Sequence, residues 1–172
     1  MVPSQSRFEQ IPVTLRDGRK VIIRPISRTD ADRLVSFHES LSDRTIYQRF
    51  FAAHPRLSEQ EVKRFTHVDH SLREAYVAIV DDEIVAVGRL ETIDEKSAEV
   101  AFVIRDAFQK LGLGSALFSL LAETAREQGI GTFVAEVLPQ NRAMIRLFEV
   151  FGESITKETE DGVTHIEVSL GK

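Results

Sequence analysis

One six-residue stretch has the residue types and spacing to do chemistry. Gln109, Lys110, Leu111, Gly112, Leu113 and Gly114 lie between a strand-like run, Glu99 to Arg105, and a helical pattern from Ser115 to Gln128. Gly112 and Gly114 lack a Cβ, so the backbone there can turn sharply and lie against a ligand. The helix that follows begins with unpaired N–H groups and the positive end of its dipole, which suits an anion. The chemistry implied is a phosphate cradle at the end of a strand. Two familiar phosphate loops are excluded by the residues. A dinucleotide fingerprint needs a small residue three places after Gly114, where Leu117 stands. A P-loop needs Lys and then Ser or Thr after its last glycine, and Gly114 is followed by Ser115 and Ala116. A plain strand-to-helix turn remains open at this point.

The elements that must hold this loop read clearly on both sides of it. Ala116, Leu117, Leu120, Leu121 and Ala125 form a helical stripe. Gly129 and Gly131 end that helix, Thr132 to Leu138 reads as a strand, and Pro139 stops it before a helix opened by Asn141. Upstream, Asp17-Gly18 marks a hairpin between Val13 to Leu15 and Lys20 to Arg24. Thr29 or Asp30 can cap a helix running to about Leu41, and a second helix covers Asp43 to Phe51. Ser58 and Glu61 form a capping box for a third. Asp81 to Glu83 joins two strands, Glu74 to Val80 and Ile84 to Leu90, and Glu91 to Glu99 contains a polar turn. A last hairpin turns at Asp161-Gly162. The expectation is an α/β (α+β) fold: a mixed, mostly antiparallel sheet of about seven strands with four to five helices. Residues 1–12 are expected to be a flexible N-terminus and 13–172 one domain.

The composition fits such a unit. The chain has 172 residues, 42% hydrophobic and 28% charged, enough for one core. Its 22 basic and 27 acidic residues give a net charge of −5, which disfavours nucleic acid as a partner. There is no cysteine, hence no disulfide and no thiol nucleophile. No apolar run approaches the length of a membrane span or a signal peptide core. The expected location is cytoplasmic, without a membrane partner.

The loop fits the Gln/Arg-x-x-Gly-x-Gly/Ala pattern at every defined position, and in this the chain resembles the GNAT acetyltransferase superfamily. The resemblance continues through the strand Phe133 to Leu138, the helix opened by Asn141, and the aromatic-Gly pair Phe151-Gly152. Arg24-Pro25-Ile26, Phe37-His38, the Tyr47 to Phe51 stretch and Phe65-Thr66 resemble the bacterial Pat-type protein-lysine acetyltransferases. The resemblance runs from about residue 13 to 169 and implies a GNAT-type domain that uses acetyl-CoA as co-substrate and no metal.

It also implies roles. The cofactor loop would begin at Gln109, and the pyrophosphate would lie on backbone N–H groups of Lys110, Leu111, Gly112, Leu113, Gly114 and Ser115. The pantetheine arm would run beside Phe102, Val103 and Ile104 like an added strand, near Asn141. A backbone N–H near Phe102 or Val103 would face the thioester oxygen. Glu99, at the matching strand position, would be the general base, with partial burial raising its pKa. Glu136 and Glu91 are its competitors. Many superfamily members place an acidic Tyr at the position of Phe148, which has no proton to give, so the thiolate would leave unaided. Arg44 to His70 would shape the acceptor entrance, and its His and Asp spacings match no metal signature. The expected reaction is acetyl transfer to a protein lysine, with an acyl-CoA synthetase among the candidate acceptors. A small-amine acetyltransferase and a non-catalytic acyl-CoA-binding module are the alternatives. Monomer and homodimer remain equally open.

Overall fold

Period-two alternation turns the apolar runs into strands, and these join edge to edge in one mixed sheet. The computed structural model describes residues 10–171. Most of the expected flexible N-terminus therefore lies outside the described residues, and Ile11 and Pro12 already belong to the first strand. Strands β1 (Ile11–Thr14) and β2 (Lys20–Pro25) flank the Asp17-Gly18 turn. Strands β3 (Arg73–Val80) and β4 (Glu83–Thr92) turn at Asp81 and Asp82, both with positive φ. Strands β5 (Ser97–Ile104), β6 (Thr132–Val137), β7 (Ser154–Glu160) and β8 (Val163–Ser169) complete the order β1-β2-β3-β4-β5-β6-β8-β7. Eight strands form where about seven were expected. β4 runs past the expected end at Leu90 through Glu91 to Thr92.

Among the described residues β5 and β6 are the one parallel pair. A parallel pair needs a crossover, and helix α4 (Leu113–Glu127) supplies it. Helices α1 (Ala31–Glu39), α2 (Asp43–Phe50) and α3 (Glu59–Thr66) belong with the other face. There Ile26, Leu34, Phe37 and Ile46 pack with Val77, Ile84 and Val87. On the α4 side, Leu117, Phe118 and Leu121 pack with Phe102, Phe133 and Ile166, joined by Phe148 from α5 (Arg142–Phe151). Gly88 lets α4 approach, since a Cβ there would stand 3.3 Å from Leu117 and from the Phe102 ring.

The caps follow local chemistry. Ser58 and Glu61 form the expected reciprocal box on α3. Of the two expected caps of α1, Asp30 holds the N-cap position, without a side-chain cap bond, while Ser27 makes a capping box with Asp30 around the short 3-10 turn before it. Asp30 is fully buried. Its carboxylate accepts from Arg24 at 2.7 and 2.8 Å and from the Ser27 N–H at 2.8 Å. It stitches β2 to the helical layer.

Candidate active site

The parallel pair comes apart. β5 meets β6 only at Ser97, Ala98 and Glu99, although β5 continues to Ile104 and β6 to Val137. Beyond Glu99 the β6-facing edge of β5 has no strand partner among the described residues. An edge left unpaired beside a cavity can take an extended ligand as an added strand.

At the end of that edge stands the glycine loop. Lys110 has φ 64 and Gly112 φ 94. Such left-handed residues turn successive N–H groups into one concavity, a nest for an anion. The helix opens two residues earlier than expected, at Leu113 with Gly112 as its cap. Its first hydrogen bond runs from the Ala116 N–H to Gly112, so the N–H groups of Leu113, Gly114 and Ser115 belong to the unpaired first turn. The Gln109 side chain has a bracing job of its own. Its amide donates to the Ile104 carbonyl at 2.9 Å and to the Thr45 hydroxyl oxygen at 3.2 Å. Asp106 accepts from Ser42 and Thr45 hydroxyls at 2.7 and 3.1 Å. The loop is thereby tied to the start of α2.

Three cavities share walls here, of about 730, 280 and 360 Å³. The largest follows the loop and the free edge. It is lined by Phe102, Val103, Ile104, Gln109, Lys110, Gly112, Gly114, Ser115 and Asn141, nine of the eleven residues expected at a cofactor site. Leu113 is buried and Leu111 packs on the core, so these two can offer only main-chain atoms. Arg16, Arg44, Arg49, Lys110, Arg142 and Arg146 also line this cavity, and no Asp or Glu among the described residues does. A cleft with one sign of charge concentrates ligands of the other sign. Arg142 and Arg146 sit one helical turn apart just after Asn141, a signal readable in the sequence. Arg16 arrives from the first hairpin, where its N–H donates to the Leu111 carbonyl at 3.1 Å, and no local pattern could have placed it.

The second cavity joins Glu99 and Glu136 across the gap, with Arg49, Asn141 and Phe148 in its wall. Glu99 is exposed, not partly buried as expected, because it stands on the sheet face opposite Ala98 and Val100. Glu91, its neighbour in register on β4, is taken up by Arg64 at 2.8 Å. Phe148 is buried in an aromatic cluster, 5.4 Å from Phe118 and 6.3 Å from Phe102. Tyr47 is exposed and Tyr76 is buried against Thr124, so neither tyrosine lines this cavity. The Asn141 side chain accepts from the Met144 N–H at 3.3 Å and caps α5.

The profile of the Acetyltransferase (GNAT) family matches residues 37–152. The chain belongs to the GNAT acetyltransferase family. Its fold is shared with the GNAT domain of S. lividans PAT, with 41% identity and a TM-score of 0.87 over 99% of this chain and all of that one. The acetyltransferase Pat of Mycolicibacterium smegmatis is 29% identical over 93% of the chain, which spans 49% of that protein. An acetyltransferase of Pseudomonas aeruginosa is 32% identical over 76% of this chain and 73% of its own. The chain thus spans about half the length of the mycobacterial Pat it matches.

Among the described residues, no group of three His, Cys, Asp or Glu is placed to hold a metal ion. No helix among them is long and apolar enough to cross a membrane.

Proposed function

We propose that residues 13–172 transfer an acetyl group from acetyl-CoA to a primary amine, a protein lysine ε-amine by preference. The observation that carries this is the unpaired edge of β5 leading into a cavity lined, among the described residues, by six cations and no carboxylate. Acetyl-CoA has the matching shape: an extended arm of amides, then a pyrophosphate. The arm would pair with main-chain groups of Phe102 to Ile104. The pyrophosphate would sit on the nest at Lys110 to Ser115, and Arg16, Arg44, Arg142 and Arg146 would answer the remaining phosphate charge.

Deprotonating a lysine at neutral pH costs about 4.6 kcal/mol, from a pKa near 10.4 at roughly 1.36 kcal/mol per unit. Glu99 is proposed to accept that proton. It lies three residues before Phe102, roughly 10 Å along the strand at 3.3 Å per residue, so a water would complete the path. The amine nitrogen attacks the thioester carbonyl, the C–N bond forms and the C–S bond breaks. A backbone N–H near Phe102 or Val103 steadies the oxyanion. The CoA thiolate leaves without a donor, since an ordinary thiol pKa is about 8.5. Phe148 leaves a second reading in play, acyl-CoA binding without turnover.

Free-CoA release from acetyl-CoA, with and without a pool of acyl-CoA synthetases, tests this, with modified lysines located by mass spectrometry. Acceptor-dependent release with acetyl-lysine on the acceptor is the expected result. Tight binding with no release on proteins or on a panel of small amines would overturn transfer in favour of the binding module.

The cradle has its own test. Gly112→Ala meets no steric obstacle, since only Arg16 Nε comes within 4.0 Å of the added Cβ. Its φ of 94 is the difficulty, costing about 1–3 kcal/mol for a side chain held there. Acetyl-CoA affinity by calorimetry is expected to fall about tenfold or more, as the loop relaxes out of the nest. Unchanged affinity would remove the pyrophosphate from this loop.

A further inference from the structure

Charge stands in register on the sheet face around Glu99. Arg73, Glu91 and Glu99 lie side by side on β3, β4 and β5, and Ala75, Arg89 and Ala101 form the next row on the same face. The cavity of about 360 Å³ opens over these rows, and Arg49 and Arg64 enter it from α2 and α3. Carboxylates directly opposite one another repel. Glu91 is satisfied by Arg64 at 2.8 Å and by Arg73 at 3.8 Å. Among the described residues, neither Arg49 nor Arg89 has a carboxylate oxygen within 4.0 Å.

Both guanidinium groups are nevertheless held in place. Arg89 donates to the Phe65 carbonyl at 2.9 Å and stacks 4.3 Å over the Phe65 ring. Arg49 lies 5.0 Å over the Phe50 ring. Those contacts fix orientation without neutralising charge. Burial, and then the charges of Arg49, Arg73 and Arg64, pull Arg89 down to about 9, which still leaves it charged at neutral pH. Glu61, Glu74 and Glu91 in the same wall are held by His54, His70 and Arg64, which leaves Arg49 and Arg89 as oriented, half-buried cations outside any direct ion pair in a pocket with two signs.

We infer that this cavity is a carboxylate subsite: the acceptor carries a carboxylate that Arg49 and Arg89 bind while its amine faces Glu99. The inference rests on the amine-acetylation reading above. A planar guanidinium suits a carboxylate through paired N–H donors. The carboxylate has two possible sources, an acidic residue flanking a protein lysine or the α-carboxylate of a free amino acid.

The test uses the full chain at saturating acetyl-CoA and acceptors in matched pairs. Nα-acetyl-lysine is compared with its amide, and a lysine peptide flanked by Glu with the same peptide flanked by Gln. The carboxylate member of a pair is expected to have about tenfold higher kcat/KM, mainly through KM. In Arg89→Gln and Arg49→Gln that ratio should fall to within about twofold. A preference confined to the amino-acid pair assigns the α-carboxylate, and one confined to the peptides assigns a protein side chain; either sustains the subsite. Melting curves check the variants, and should Arg89→Gln fail to fold, Arg49→Gln at the end of α2 decides alone. Equal rates within both wild-type pairs, or a preference that survives in every folded variant, overturn the subsite. Calorimetric binding of Nα-acetyl-lysine and its amide to the CoA-loaded protein separates the two readings. Arg-dependent discrimination in binding without turnover keeps the subsite and removes transfer, whereas turnover without discrimination does the reverse.

Discussion

Glu99→Gln is expected to lower kcat for the proposed amine acetylation by about 10²–10⁴-fold, the usual contribution of a positioned base. The substitution keeps the shape of the side chain and removes its charge and its ability to take a proton. Glu99 is exposed and has no ion-pair partner within 4.0 Å among the described residues, so the melting temperature should hardly move. Acetyl-CoA affinity should also persist, because Glu99 does not line the large cation-rich cavity. The pH dependence distinguishes a base from a mere contact. Without it, the amine must lose its proton to solvent, so the deficit narrows as pH climbs toward the amine's own pKa of about 10.4. A uniform deficit at every pH would mean that Glu99 positions the acceptor without moving its proton. Full activity in the variant would pass the role to Glu136, which faces the same cavity from β6.

How far the sequence reaches depends on whether a feature is local. The Gln109 to Gly114 loop, the Ser58–Glu61 box and the Asn141 cap are each set by residues within a few positions, and all three were legible. The strands around the loop were legible too, since period two and flanking turns define them. The exposure of Glu99 was not, because which face of β5 lies under α4 depends on pairing with β4 and on helix packing. Nor could sequence bring Arg16 to Lys110, or Arg49 to Arg89 and Glu99. Those encounters join the first hairpin to the loop and α2 to β4, over tens of residues. The loop itself shows a mixture: Gln109 could be read as part of a phosphate pattern, but its side chain proves to brace Ile104 and Thr45. Its motif position was readable, and its job was not.

Asp30→Ala is the substitution expected to damage the fold most. Asp30 has no exposure at all, and Arg24, its main partner, keeps 21% of its side chain in solvent. Removing the carboxylate strands Arg24 and opens the Ser27 capping box. Breaking a buried pair this way costs about 3–5 kcal/mol, toward the lower end here because Arg24 can still find water. At about 2–4 °C per kcal/mol for a domain of this size, the melting temperature should fall by on the order of 10 °C. The same contact sets an acid limit. Burial alone would raise the Asp30 pKa, but the Arg24 hydrogen bonds, the Ser27 N–H and the charges of Arg24 and Arg33 outweigh it and hold the carboxyl below its usual value. A depressed carboxyl stabilises the fold above its unfolded pKa and loses that stabilisation as pH falls through the folded one. Wild-type stability should therefore decline below about pH 4, the unfolded aspartate value, more steeply than that of Asp30→Ala, and the two melting curves should converge in acid. Parallel curves down to low pH would show that the Asp30 carboxylate contributes no more than a neutral side chain of its size.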